Sequence, residues 1–189
     1  MKRNITLIGI ITVVVLAVVF LLYTQGHQNP ATSTISGTRE LVLNEQDLQV
    51  LEITNNGTYC RSEEYNTSEF SPLAQYSICS YTINSLNDTQ VILELKKYTN
   101  FVDLNGTYQY ESLHLRSVEG LISQNDYGDQ SRFYINNVND YGGNLTDASI
   151  SYYALYITKD GYIIYISSKG SKEAGEYIAK IGRQILSKF

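Results

Sequence analysis

Any catalytic or metal site in this 189-residue chain must draw on a short inventory: two histidines, two cysteines and nineteen carboxylates. His27 and His114 are far apart, and His114 in "SLHLRS" lies between two leucines, the setting of a half-buried structural imidazole. A Ser-His-Asp triad would rest on His114 alone, and no G-x-S-x-G turn exposes a serine beside it. The spacings H-E-x-x-H, C-x-x-C, G-x-x-x-x-G-K-[ST] and G-x-G-x-x-G are all missing, so neither a zinc site nor a phosphate cradle is spelled out. Two oxygen-rich stretches, Asn125–Ser131 and Asn136–Asp147, carry Asp and Asn around Gly as calcium prefers, but neither has the twelve-residue calcium-loop spacing. Asx and Gly gather in turns for backbone reasons alone, and turns are the expectation here. The adjacent acids Glu63 and Glu64 read as a solvated loop, not as a glycosidase pair, which needs carboxylates roughly 5–9 Å apart. The sequence therefore predicts no catalytic residue, no cofactor and no metal.

Cys60 and Cys79, nineteen positions apart, are the natural partners of one disulfide in an oxidising compartment, at a gain of about 3 kcal/mol. The part of the chain beyond residue 23 carries five N-x-S/T sequons, at Asn56, Asn66, Asn87, Asn105 and Asn144, and these are the candidate glycan acceptors. With Asn, Ser and Thr this abundant, roughly two or three would arise by chance.

Ahead of all of these stands "ITLIGIITVVVLAVVFLLY", Ile5–Tyr23, a run without a charge. At about 1.5 Å per residue it is long enough to cross a hydrocarbon core of about 30 Å. It ends on Phe20-Leu21-Leu22-Tyr23 with no A-x-A pattern, which favours an uncleaved signal anchor over a cleaved leader. Lys2 and Arg3 precede the run and no basic residue follows until Arg39, which predicts a cytoplasmic N-terminus and an extracytoplasmic remainder. Setting those two aside leaves 12 basic against 19 acidic side chains, a net of −7, and argues against nucleic acid or anionic lipid as partner.

The elements that would position this chemistry follow a tether, residues 24–37, rich in Thr, Ser, Gln and Gly. Residues 38–189 then make one α+β domain: a mainly antiparallel sheet, a middle helix and a C-terminal amphipathic helix, preceded by one transmembrane helix. "ELVL" reads as a short strand, and Asn44 as the cap of a helix reaching about Leu51. "AQYSICSYTIN" and "TQVILELKKYT" read as strands, the second with Val91, Leu93 and Leu95 on one face. Asn100 caps a helix carrying Phe101, Leu104 and Tyr108, which Gly106 weakens by about 1 kcal/mol. "GLIS" and "SRFYINNV" are further strands. In "SYYALYITKDGYIIYISS", Asp160-Gly161 marks a tight hairpin. Tyr153, Leu155 and Ile157 are expected on one face with Ile163 and Tyr165 returning beside them, and Tyr156, Ile164 and Ile166 on the other. A last helix, capped by Ser171, carries the stripe Ala174, Tyr177, Ile178, Ile181, Ile185, Leu186 and Phe189. Seventeen Tyr against five Phe and no Trp suit half-buried strands with wet tips.

This order resembles a group of exported lipoprotein and sensor domains with a PsbP-like fold, best known from actinobacterial surface proteins. The matching residues are Leu43 with Asp47-Leu48, Gly128-Asp129-Gln130-Ser131, Tyr162 to Ser168 and Ala174 to Leu186. The chain departs from that pattern in lacking a lipobox cysteine, a Pro after Leu48 and an Arg before Gly161. The resemblance implies ligand or partner binding outside the cell without catalysis. The expected function is a membrane-anchored extracytoplasmic binding or sensor domain, its partner an unidentified small ligand or protein. The alternatives are a pilin-like or envelope structural subunit and, behind it, a carboxylate-dependent hydrolase of envelope polymers.

Overall fold

Asp160 and Gly161 both take positive φ, 45° and 87°, the left-handed pair that a two-residue hairpin turn requires. The turn fixes the register of β6 (Ser151–Lys159) against β7 (Tyr162–Gly170), with Lys159 opposite Tyr162 and Leu155 opposite Ile166. Across such a turn the paired residue numbers have opposite parity. Leu155 and Ile157 therefore share their face with Ile166 and Ile164, while Tyr156 shares the other face with Tyr165, with Ile163 on that same side. The grouping expected from alternation within each strand paired the two faces wrongly, and the turn geometry corrects it.

The computed structural model describes residues 35–68, 72–113, 120–135 and 149–189. Around the hairpin it builds a sheet of seven strands in the order β1-β2-β3-β7-β6-β5-β4, every neighbouring pair antiparallel. The remaining strands are β1 (Asn55–Glu64), β2 (Leu73–Ile83), β3 (Thr89–Tyr98), β4 (Leu121–Gln124) and β5 (Gln130–Ile135). β1 has no counterpart in the sequence reading. "NNGTYCRSEE" lies at the sheet edge with its side chains largely in solvent, so it carries no apolar alternation. The apolar leader and residues 24–34 of the tether lie outside the described residues. Ile35–Gly37, expected as the tether's end, belong instead to the domain: Ile35 packs on the core and the Ser36 carbonyl accepts from Lys97 Nζ at 2.7 Å. Among the described residues no helix is long and apolar enough to cross a membrane.

One face of the sheet packs on the C-terminal helix α4 (Ala174–Leu186) and on an N-terminal segment holding α1 (Thr38–Leu41) and α2 (Glu45–Val50). Val91, Leu93 and Leu95 point into this core as their spacing requires, joined by Leu155, Ile157, Ile164 and Ile166. From α4 come Ala174, Ile178, Ile181 and Ile185, all buried, with Tyr177, Leu186 and Phe189 at the rim. The helix begins at Ala174, one turn after the expected cap, and Ser171 closes that preceding turn by accepting from the Glu173 N–H at 3.3 Å.

The expected strand over "ELVL" is instead the helical turn α1. Thr38 ties its start to β2, donating its N–H to Gln75 Oε1 at 3.0 Å and pairing its hydroxyl with Ser77 at 2.8 Å. That anchorage lets both Leu41 and Leu43 reach the core, which overrides the β-tendency of the stretch. Asn44 caps α2 through its side chain, and Asp47 returns the bond to the Asn44 N–H, a complete capping box. Asp47 is itself buried and accepts from Lys188 Nζ at 2.7 Å and Gln184 Nε2 at 2.8 Å, so α2 is joined to the C-terminal end of α4.

The opposite face carries α3 (Phe101–Leu113). Leu104 and Tyr108 cover Ala154, Tyr156 and Ile163, as two apolar faces demand. Asn100 accepts from the Asp103 N–H at 2.9 Å and opens the helix as expected. Phe101 does not join the stripe: it is 67 % exposed, one turn outside the contact.

Candidate functional site

Strand alternation that buries Val91, Leu93 and Leu95 sends Glu94 and Lys96 to the α3 face. There the ammonium of Lys96 lies 3.8 Å from the Glu94 carboxylate and donates to Glu111 of α3. Burial raises the Glu94 pKa, Lys96 opposes the shift and Glu111 adds to it, while a bond from Tyr76 favours the ion. Tyr76, one strand away, is pushed up to about 12, first by burial and then by the charge of Glu94. Two carboxylates, one lysine and one phenol thus meet at the seam of β2, β3 and α3.

On the far flank of α3 stands Arg132 of β5. Its guanidinium lies 5.1 Å from the centre of the Tyr108 ring and donates to Gln109 Oε1 at 2.8 Å and to Ser112 Oγ. Among the described residues no carboxylate forms an ion pair with it. Burial pushes Tyr108 up to about 12, with Arg132 working against the rise. Between the flanks Tyr156 and Tyr165 stack with ring centres 4.6 Å apart. Glu94, Tyr165, Tyr156 and Arg132 occupy one row across β3, β7, β6 and β5. Tyr156 is buried beneath Leu104 and Tyr108, so the half-buried Tyr165 is the part-open ring of this row. Together with the acid and the guanidinium at the two ends, it can meet a polar ligand by ring contact and charge-assisted bonds. From sequence, Tyr108, Tyr156 and Tyr165 stand only as face residues of their elements, and none of this group is assigned a binding role. The signal available was small: "ELKK" places charges on the face of β3 opposite its leucines, and "SRFYI" sets an arginine among apolar residues.

The sequence-derived candidates fall elsewhere. Cys60 and Cys79 are bonded to each other, directly opposite on β1 and β2. Cys79 is buried, whereas Cys60 faces solvent. Asn66 and Asn87 are exposed, Asn87 at a left-handed turn position with φ 52°. Asn105 is half-buried on α3, and the Gln130 amide donates to its Oδ1 at 3.4 Å. Asn56 belongs to β1, its side chain outside the described residues, as are Asn144, His27, His114 and the second oxygen-rich stretch, Asn136–Asp147.

The first oxygen-rich stretch is a turn held by its own bonds. The Tyr127 N–H donates to Ser131 Oγ at 3.0 Å, and Asp129 accepts from Lys159 and from the Asp160 N–H, each at 3.1 Å. Among the described residues no three His, Cys, Asp or Glu side chains gather as metal ligands would. Glu63 and Glu64 sit on β1, not on a loop, and successive strand residues point to opposite faces. Glu63 bonds Arg61 and the Tyr65 hydroxyl. A small cleft of about 130 Å³ near Glu63, Glu64, Gln75 and Thr38 falls short of the roughly 300–1,000 Å³ of a small-molecule site.

No protein-family model matches the chain, and no curated protein matches it either. Among solved structures, the extracellular domain of PknH from Mycobacterium tuberculosis is similar at a TM-score of 0.44 and 10 % identity, covering 85 % of this chain and 99 % of that one. Likeness at that level carries neither a fold family nor a function across. The class defined by the structure is thus an α+β domain with one seven-stranded antiparallel sheet, crosslinked at its edge by a disulfide.

Proposed function

We propose that this chain is a membrane-tethered extracytoplasmic binding or sensor domain without catalytic activity. The observation that carries this reading is the Cys60–Cys79 crosslink on an edge strand, with Cys60 open to solvent. A disulfide so placed persists where glutathione and thioredoxin do not reach it. The uncharged run Ile5–Tyr23 behind Lys2 and Arg3 supplies the single span and its orientation. The ligand-facing surface in this reading is the α3 face. The Tyr156–Tyr165 pair lies there between the Glu94 and Arg132 flanks. Arg132 is ordered by its bonds to Gln109 and Ser112 of α3, and on the other flank Lys96, 3.8 Å from Glu94, donates to Glu111 of α3. The order of elements and the Gly128–Ser131 turn fit a PsbP-like domain, whose members bind ligands or partners outside the cell.

The test is accessibility in intact cells. An impermeant amine reagent should modify the lysines of a C-terminally tagged full chain without lysis, and the protein should run faster on a non-reducing gel than after reduction. Labelling seen only after lysis, together with free thiols, would refute the placement. A hydrolase reading draws on Glu94 and Glu111, two acids that meet at one lysine. It requires Glu94→Gln to abolish cleavage of an envelope polymer while leaving binding intact.

A further inference from the structure

Among the described residues the first strand is the outermost of the sheet, with β2 on its inner side. β1 runs ten residues along the sheet edge with neither proline nor lysine, and its register against β2 shifts once, between Asn55 and Thr58, and is unbroken over the seven residues from Thr58 to Glu64. Short edges, prolines, lysines and bulges are the usual means of blocking such an edge. The opposite edge, β4, has four residues and a register irregularity. The disulfide fastens β1 to β2 at Cys60, which holds the outer edge in a fixed pleat.

The pleat settles which backbone groups face outward. The Tyr65 N–H donates to Ala74 O at 2.8 Å, so Tyr65, and by alternation Glu63, Arg61 and Tyr59, direct their backbone groups to β2. The Cys60–Cys79 pair, with Cα atoms 4.2 Å apart, has the short separation of a non-hydrogen-bonded pair and gives the same phase. Cys60, Ser62 and Glu64 therefore offer their N–H and C=O groups away from the sheet. An antiparallel partner must match outward residue to outward residue, which leaves few registers.

Side chains choose among those registers for a second copy of the same strand. With Arg61 on the two-fold axis, arginine faces arginine. With Glu63 or Glu64 there, glutamate faces glutamate. With Ser62 on the axis, Arg61 of each copy faces Glu63 of the other, twice over. The same register sets Tyr59 against Tyr65, both among the exposed large side chains, at 67 % and 40 %. Opposite charges and aromatic pairs facing each other across antiparallel strands both favour pairing.

We propose that β1 is a self-pairing edge through which two copies of this chain join their sheets antiparallel, with Ser62 on the two-fold axis. Its recognition code is the Tyr59-x-Arg61-x-Glu63-x-Tyr65 row, which reads as its own complement when reversed.

Sedimentation of the full chain in detergent, across a concentration series, tests it with a charge-exchange cycle at the exposed Arg61 and the half-buried Glu63. Wild type is expected to form a dimer. Arg61→Glu and Glu63→Arg should each raise its dissociation constant about ten-fold or more, by placing like charges opposite one another twice. The double exchange, Arg61→Glu with Glu63→Arg, restores both opposite-charge contacts and should return the constant to within about three-fold of wild type. Unchanged far-UV circular dichroism and an intact disulfide in each variant keep a folding defect apart from an interface defect. A wild type that stays monomeric at about 100 μM overturns the proposal. So does a dimer indifferent to both single exchanges, which would place the contact elsewhere, and so does a double exchange that fails to restore it.

Discussion

Replacing Asp47 by alanine should cost about 3 kcal/mol, and the structure shows where that figure originates. Asp47 is 6 % exposed and accepts three hydrogen bonds, from the Asn44 N–H at 2.9 Å, Lys188 Nζ at 2.7 Å and Gln184 Nε2 at 2.8 Å. Loss of its half of the capping box costs about 1 kcal/mol. Removing the acid from a buried ion pair costs about 3–5 kcal/mol when the cation is left without partners. Lys188 is not left so, because the Val42 and Glu40 carbonyls still accept from it at 2.8 and 3.3 Å. About 2 kcal/mol is therefore the appropriate share for the pair. With an m-value of about 2 kcal/mol per molar urea, the midpoint of residues 35–189 should fall by about 1.5 M.

The pH dependence supplies the stricter check. Burial works to raise the Asp47 pKa, but the bonds from Lys188, Asn44 and Gln184 together outweigh it and hold the carboxyl below its ordinary value. A depressed folded pKa gives stability that is complete above the unfolded value of about 3.9 and is lost as pH falls through the folded value. Asp47→Asn preserves shape and an amide acceptor for the cap while removing the charge. Its deficit against wild type should be constant from pH 7 to about 5 and close below about pH 4. A deficit under about 1 kcal/mol for the alanine variant, or one for the asparagine variant that is the same at pH 7 and pH 3, would refute the account.

Three further outcomes follow from particular contacts. Replacing Cys60 and Cys79 by alanine should lower stability by about 3 kcal/mol in urea unfolding, the loop-closure value for a nineteen-residue separation. Gly128→Ala should cost more than about 2 kcal/mol in thermal or urea unfolding, because φ is +59° and the new Cβ would lie 2.4 Å from the Thr158 carbonyl oxygen. Glu94→Gln should leave the domain equally or more stable at pH 7, since the raised carboxyl pKa means that folding favours the protonated form. The sign is opposite to that of Asp47: the contribution of Glu94 is present in acid and falls away as pH rises through the folded value, so wild type should gain on the variant as pH drops.

Local pattern alone determined much of this protein. The Asp160-Gly161 hairpin, the buried Val91, Leu93 and Leu95, the Asn44 and Asn100 caps and the Ala174, Ile178, Ile181, Ile185 stripe are each written within one turn or one strand. Backbone sterics and the 3.6- and 2-residue periods act over that range, so residue order suffices. The apolar leader and its flanking charges belong to the same class of signal, as does the choice of Cys60 for Cys79, the sole possible partner.

Tertiary structure decided what depends on which strands meet. β1 has little apolar side chain to bury at the sheet edge, and only its pairing with β2 makes it a strand. "ELVL" turns helical because Thr38 is held by Gln75 and Ser77, almost forty residues onward. Asp47 finds Lys188 across 141 positions, and Glu94, Lys96 and Glu111 gather only when α3 lies across β3. The pairing of faces across the hairpin, by contrast, is legible in the two-residue Asp160-Gly161 turn, which sets opposite parity, and is missed when each strand is read by its own alternation. The long-range contacts are set by register and packing over long loops, where the chain's local preferences carry no information about the partner.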